Sequence, residues 1–79
     1  MTDLPGMDIK QKVGNRIREL RKNLELSQEA LALKAEVDRT YVTDVENGRR
    51  NVSLEILERL IKALNVSIAE FFNSKEFKK

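Results

Sequence analysis

Arg39, Thr40, Tyr41, Thr43 and Asp44 fall within six consecutive positions and carry the most distinctive polar chemistry of this sequence. The arginine offers a planar fork of donors that can grip two acceptors together, as guanine presents them at O6 and N7. Thr40 has a hydroxyl for a base or a phosphate and a methyl for thymine. Tyr41 is bulkier, and its hydroxyl is expected to reach a phosphate. Thr43 and Asp44 lie one helical turn further on. Asp44 can accept from cytosine N4, or it can orient a neighbouring basic side chain, because a carboxylate also repels phosphate. Arg39 has an ordinary alternative as well, a surface ion pair with Glu36 or Asp38. This is chemistry of recognition, not of bond breaking. The sequence has no cysteine and no histidine, which removes thiol nucleophiles, disulfides and the usual zinc ligands together. No enzyme, metal or cofactor is expected.

These groups need a rigid element to point them outward. Residues Ser27 to Gly48 read as two short helices joined by a tight turn, and the second carries the five polar residues. Ser27 is suited to cap the first of the two. Ala30, Leu31 and Ala35 are expected inward, with Ala32 small where two helices approach. Glu36-Val37-Asp38 makes the turn. Val37 plugs the gap, and Asp38 caps the second helix. Val42 and Val45 face inward, and Gly48 supplies the left-handed stop after Asn47. A helix pair of this kind is the physical description of a helix-turn-helix.

The flanking segments read as scaffold. Ile9, Val13, Ile17, Leu20 and Leu24 recur every three or four residues from an Asp8 cap and predict a first helix ending near Asn23. Ser53 caps a fourth helix with Leu54, Leu57, Leu60, Ile61 and Leu64 inward. Asn65 is a tolerable left-handed stop. Ser67 with Glu70 forms a capping box for a fifth helix containing Phe71 and Phe72. The expectation is an all-α domain of five helices over residues 8–74. A flexible leader is expected at 1–7, around Pro5 and Gly6, and a frayed end at 75–79.

Net charge is only +2 in 79 residues, so the distribution of charge says more than its sum. Between Ile9 and Leu26 six bases (Lys10, Lys12, Arg16, Arg18, Arg21, Lys22) stand against Glu19 and Glu25. Arg49 and Arg50 form a second basic point. The apolar runs are short and broken by charge, so no signal peptide or membrane span is expected, in keeping with a cytoplasmic protein.

Three stretches, IRELRKNLELSQEALALKA, VDRTYVTDVENGRRNVSLE and LIKALNVSIAEFF, resemble the lambda-repressor-like, or Xre, helix-turn-helix family. The segment RTYVTDVENGRRNVSLE is most similar to the controller proteins of restriction–modification systems. The resemblance implies a five-helix DNA-binding fold in which Arg39, Thr40, Tyr41, Thr43 and Asp44 face DNA. It supports Gln28 as a phosphate contact beside the N-terminus of the second helix. It places Arg49, Arg50 and Asn51 in a loop along the DNA backbone, with Arg50 or Asn51 able to reach toward a groove. It also implies a structural ion pair between Arg21 and Glu46 that fixes the angle of the reading helix. The chain departs from the family in having Glu36 and Asn65 where glycine is common.

A domain this small makes few base contacts, so a dimer on an inverted repeat is expected. Its candidate surface is Val66, Ile68, Phe71 and Phe72. Adjacent phenylalanines cannot point the same way on a helix, so at least one should be partly exposed. The implied function is sequence-specific transcriptional regulation by a homodimer on double-stranded DNA. A controller would act upstream of its own gene and a nuclease gene, activating at low occupancy and repressing at high. RNA polymerase would be a further partner if it activates. Phage-type repressors and antitoxins share much of the pattern. A protein-interaction module on the same fold is the competing class.

Overall fold

Short polar side chains start the helices. The computed structural model describes residues 8–78. The elements are α1 (Ile9–Asn23), α2 (Gln28–Ala35), α3 (Arg39–Glu46), α4 (Leu54–Ala63) and α5 (Ile68–Phe71), followed by one 3-10 turn at Lys75–Phe77. Asp8, Ser27, Ser53 and Ser67 each accept a bond from the backbone N–H three residues on, satisfying a donor that has no intrahelical partner. Asp38 departs from expectation. It holds the N-cap position of α3 with extended backbone, but its carboxylate makes no capping bond, so α3 starts on backbone geometry alone.

The helix ends share one device. Glu25, Glu36, Gly48 and Asn65 follow α1, α2, α3 and α4 with positive φ of 59, 60, 72 and 64°. After α1 to α3 the next N–H bonds back to a carbonyl five residues earlier: Leu26 to Arg21, Val37 to Ala32 and Arg49 to Asp44. This left-handed reversal satisfies carbonyls that the helix leaves open. Three of the four positions are not glycine, so the surrounding packing holds a conformation that L-residues disfavour.

The core is built where these helices cross. Ile17, Leu31, Val42, Leu60, Leu64 and Phe71 are essentially without solvent contact. α3 packs against both α1 and α2, and α4 against α2. Gly14 sets the distance between α1 and α3. A Cβ there would lie 2.3 Å from the Val45 carbonyl oxygen and 2.8 Å from that of Glu46, so only glycine permits this crossing.

Several apolar and basic residues sit elsewhere than the periodicity suggests. Ile9, Leu24 and Leu54 are exposed, Leu54 by 83%. Each lies at a helix terminus. Arg16, read as part of a basic surface stripe, is buried. Its Nε donates to the Phe71 carbonyl at 2.7 Å and its Nη2 to the Glu70 carbonyl at 2.8 Å, closing the end of α5. The tail is not frayed through Phe77. That ring packs 4.9 Å from Phe72 and 6.2 Å from Phe71, centroid to centroid. The leader at 1–7 lies outside the described residues.

Candidate nucleic-acid interface

α3 presents two chemically different faces. Val42, Val45 and Glu46 are buried, Arg39 and Thr40 are exposed, and Tyr41, Thr43 and Asp44 are half-buried. The three-to-four residue spacing of Thr40, Thr43, Asp44 and Asn47 puts them on one side of the helix. Arg39 and Thr40 stand at its N-terminal end, the end that enters the groove in proteins of this motif.

A buried carboxylate fixes that face. Glu46 is 2% exposed, and Arg21 from α1 grips it with both arms of its fork, Nε to Oε2 at 2.6 Å and Nη2 to Oε1 at 3.0 Å. Gln28 from α2 donates Nε2 to the same carboxylate at 2.9 Å. Arg18 approaches it at 3.5 Å and donates to the Glu46 carbonyl at 3.2 Å. Arg21 also donates to the Leu26 carbonyl at 2.8 Å, bracing the turn after α1. Burial by itself would push the Glu46 carboxyl up. The hydrogen bonds from Arg21 and Gln28, with the charges of Arg21 and Arg18, outweigh it and hold the carboxyl below its ordinary value. The expected ion pair is therefore present, as one part of a junction joining three helices.

The junction changes the reading of two residues. The Gln28 amide, expected to face phosphate, is turned inward. It donates to Glu46, and its oxygen accepts from the Thr43 hydroxyl at 2.8 Å. Thr43 thereby spends its donor inside the protein and offers outward only its methyl and a remaining lone pair. Gln28 is thus bonded to the buried carboxylate, and Thr43 to Gln28, within the junction.

On the open side, Asp44 lies among bases. Its carboxylate is 3.5 Å from Arg50 Nη2 and 3.9 Å from Arg49 Nη1. The Arg50 guanidinium also sits 4.3 Å from the centre of the Tyr41 ring. Asn51 is exposed in the same loop. Arg59, which the sequence reading did not single out, donates to the Ala35 and Glu36 carbonyls and fastens the α2–α3 turn to α4. Arg18 was likewise counted only as surface charge.

The candidate dimer surface resolves into distinct roles. Phe71 has no exposure and belongs to the core. It therefore cannot serve a partner, as the adjacent-phenylalanine argument allowed for one of the pair. Phe72 and Val66 are half-buried, and Ile68 is 53% exposed. With Leu54, Leu57 and Ile61, Phe72 and Ile68 line an apolar groove of about 330 Å³ between α4 and α5. Among the described residues, no cluster of potential metal ligands is present, and no helix is long and apolar enough to cross a membrane.

A fold of short helices whose third member is clamped on two others and exposes Arg39 and Thr40 defines a helix-turn-helix protein. The helix-turn-helix family profile matches residues 17–71. The control protein C.MunI of a Mycoplasma species is 44% identical over 70 residues, covering 87% of this chain and 95% of that one. The control protein C.SmaI of Serratia marcescens is 40% identical over 76 residues, covering 96% and 90%. The chain belongs to the helix-turn-helix family and, within it, to the restriction–modification controller proteins. Among solved structures it is similar to the controller C.AhdI of Aeromonas hydrophila, with TM-score 0.77, 48% identity and coverage of 80% and 96%. It is also similar to the controller C.Esp1396I, solved as a tetramer in complex with its natural 35 base-pair operator. There the TM-score is 0.82, the identity 38% and the coverage 89% and 95%.

Proposed function

We propose that this protein is a dimeric, sequence-specific transcriptional regulator that places α3 in the major groove of an inverted-repeat operator. The observation that carries the reading is the fixed α3 with Arg39 and Thr40 free at its N-terminal end. Its angle is set by buried bonds from α1 and α2, while its outer residues remain open to a duplex. The operator complex of C.Esp1396I supports the DNA-binding role. In this role Arg39 reads guanine, Thr40 and Tyr41 contact bases or phosphates, Arg49 follows the backbone, and Arg50 and Asn51 lie where the loop can reach toward a groove. Gln28 and Thr43 act mainly by holding α3. Ile68, Phe72 and Leu54 form the dimer face, placing two reading helices roughly 34–36 Å apart. As in the controller reading of the sequence, the sites lie upstream of its own gene and a nuclease gene. Low occupancy activates and high occupancy represses, in the cytoplasm and without catalysis.

The test is a binding titration with two duplexes, the segment upstream of its own gene and a scrambled version. The upstream segment is expected to bind about a thousandfold tighter or more. Affinity should fall with salt, each neutralised phosphate adding about 0.9 to the log–log slope. Equal affinity for the two duplexes removes the proposal.

A further inference from the structure

The loop after α3 does not run away from the reading helix. The bond from Arg49 N–H to the Asp44 carbonyl, 2.9 Å, folds the chain back across the helix end. Gly48 makes this possible with φ +72°, and a Cβ there would meet Gln11 Cγ at 2.6 Å. Arg50 consequently lies back over α3. Its guanidinium rests 4.3 Å from the Tyr41 ring centre and 3.5 Å from the Asp44 carboxylate. Tyr41 and Asp44 are three residues apart on α3 and share one side of it. A ring face and a carboxylate together restrict a guanidinium that would otherwise sample many rotamers.

These contacts are half-exposed, with the Arg50 and Asp44 side chains 43% and 27% open. Pairs of this kind add little to folding stability. They matter for a group whose value depends on orientation. Bidentate recognition of a base requires a fork held in plane, and an arginine that is disordered beforehand spends binding energy on being ordered. Asp44 is poorly placed to approach DNA itself, because its charge repels phosphate and its oxygens already face Arg49 and Arg50.

We propose that Asp44 and the Tyr41 ring are positioning residues for Arg50, which reads a base pair in each half-site while Asp44 touches none. This rests on the DNA-binding reading above and assigns a specificity determinant outside α3.

The experiment begins by selecting duplexes from a randomised pool with the unaltered protein. Failure to enrich any sequence refutes the underlying DNA-reading proposal and is recognised before any variant is made. With an enriched site in hand, single base-pair variants are titrated against the unaltered protein, Arg50→Ala, Asp44→Asn and the double variant, with thermal unfolding recorded for each. Arg50→Ala is expected to reduce the preference at one base pair per half-site by about tenfold. Asp44→Asn should reduce the preference at that same pair, with melting unchanged, and should add nothing in the Arg50→Ala background. Tyr41→Phe, which keeps the ring face, should retain the preference, and Tyr41→Leu should lose it. The proposal is overturned if Asp44→Asn alters a different base pair, which would make Asp44 a reader in its own right. It is equally overturned if Arg50→Ala or Asp44→Asn leaves every base preference intact.

Discussion

In the proposed role, Arg39 is the exposed fork at the start of α3 that supplies sequence discrimination. Arg39→Ala is expected to cost roughly 1–3 kcal/mol on the specific site and to relax one base pair, as measured by competition titration. An equal loss on nonspecific DNA would make it a phosphate contact instead. Glu46 works in the opposite direction, inward. Its carboxyl titrates below the ordinary value of 4.5 in the folded protein. The stabilisation it gives is therefore complete above that ordinary value and is lost as pH falls through the lower folded value. Glu46→Gln is expected to destabilise by about 3 kcal/mol near neutral pH, because Arg21 would keep a buried charge without its counter-ion. Chemical denaturation across the acid range should show the gap between variant and unaltered protein narrowing as pH drops. A pH-independent gap would mean that shape, not charge, is what Glu46 contributes. The types of these residues were legible in the sequence, and so was the Arg21–Glu46 pairing through family resemblance. The inward turn of Gln28 and Thr43 was not. Both are polar, both sit where DNA is expected, and no periodicity distinguishes an amide facing a buried carboxylate from one facing a phosphate.

The helices depend on their ends and crossings more than on intrinsic propensity, since pieces of eight to ten residues are marginal alone. Gly14→Ala illustrates this. Elsewhere in a helix the change would help, but here the added carbon meets two α3 carbonyls. It is expected to destabilise by about 1–3 kcal/mol and to weaken operator binding beyond that, by tilting α3. Unchanged melting would show that α1 and α3 separate at no cost. The caps at Asp8, Ser27, Ser53 and Ser67 were readable because short oxygen-bearing side chains before an apolar stripe have one dominant use. Glu25 was not recognised as a left-handed stop. Glutamate carries no local preference for that conformation, and it is the two bonds between Arg21 and the Leu26 backbone that hold it. Leu54 was misassigned for a related reason. A stripe predicts a face, and whether a neighbouring helix extends far enough to cover it is a tertiary fact.

For the molecule as a whole, the proposed dimer face centres on the groove lined by Leu54, Ile68 and Phe72. Ile68→Glu changes an exposed residue, so folding should be altered by less than about 0.5 kcal/mol. Sedimentation should nevertheless show a monomer where the unaltered protein shows a reversible dimer. A variant that still dimerises would move the interface elsewhere. The five-helix architecture was readable from sequence because α1, α2, α4 and α5 each begin with a capping side chain. The ordered turn at Lys75–Phe77 was hidden because part of its support comes from α1, far upstream, beside the nearby rings of Phe71 and Phe72. The same remoteness has a temporal consequence through Arg16. A four-residue α5 has no helical stability of its own, and its final carbonyls are closed by an arginine 55 residues upstream. α4 supplies Leu57, Leu60, Ile61 and Ala63 to the common core, and Arg16 meets its carbonyl partners only once α5 has been made. The fold is therefore expected to close late, when α5 has been synthesised, rather than helix by helix from α1.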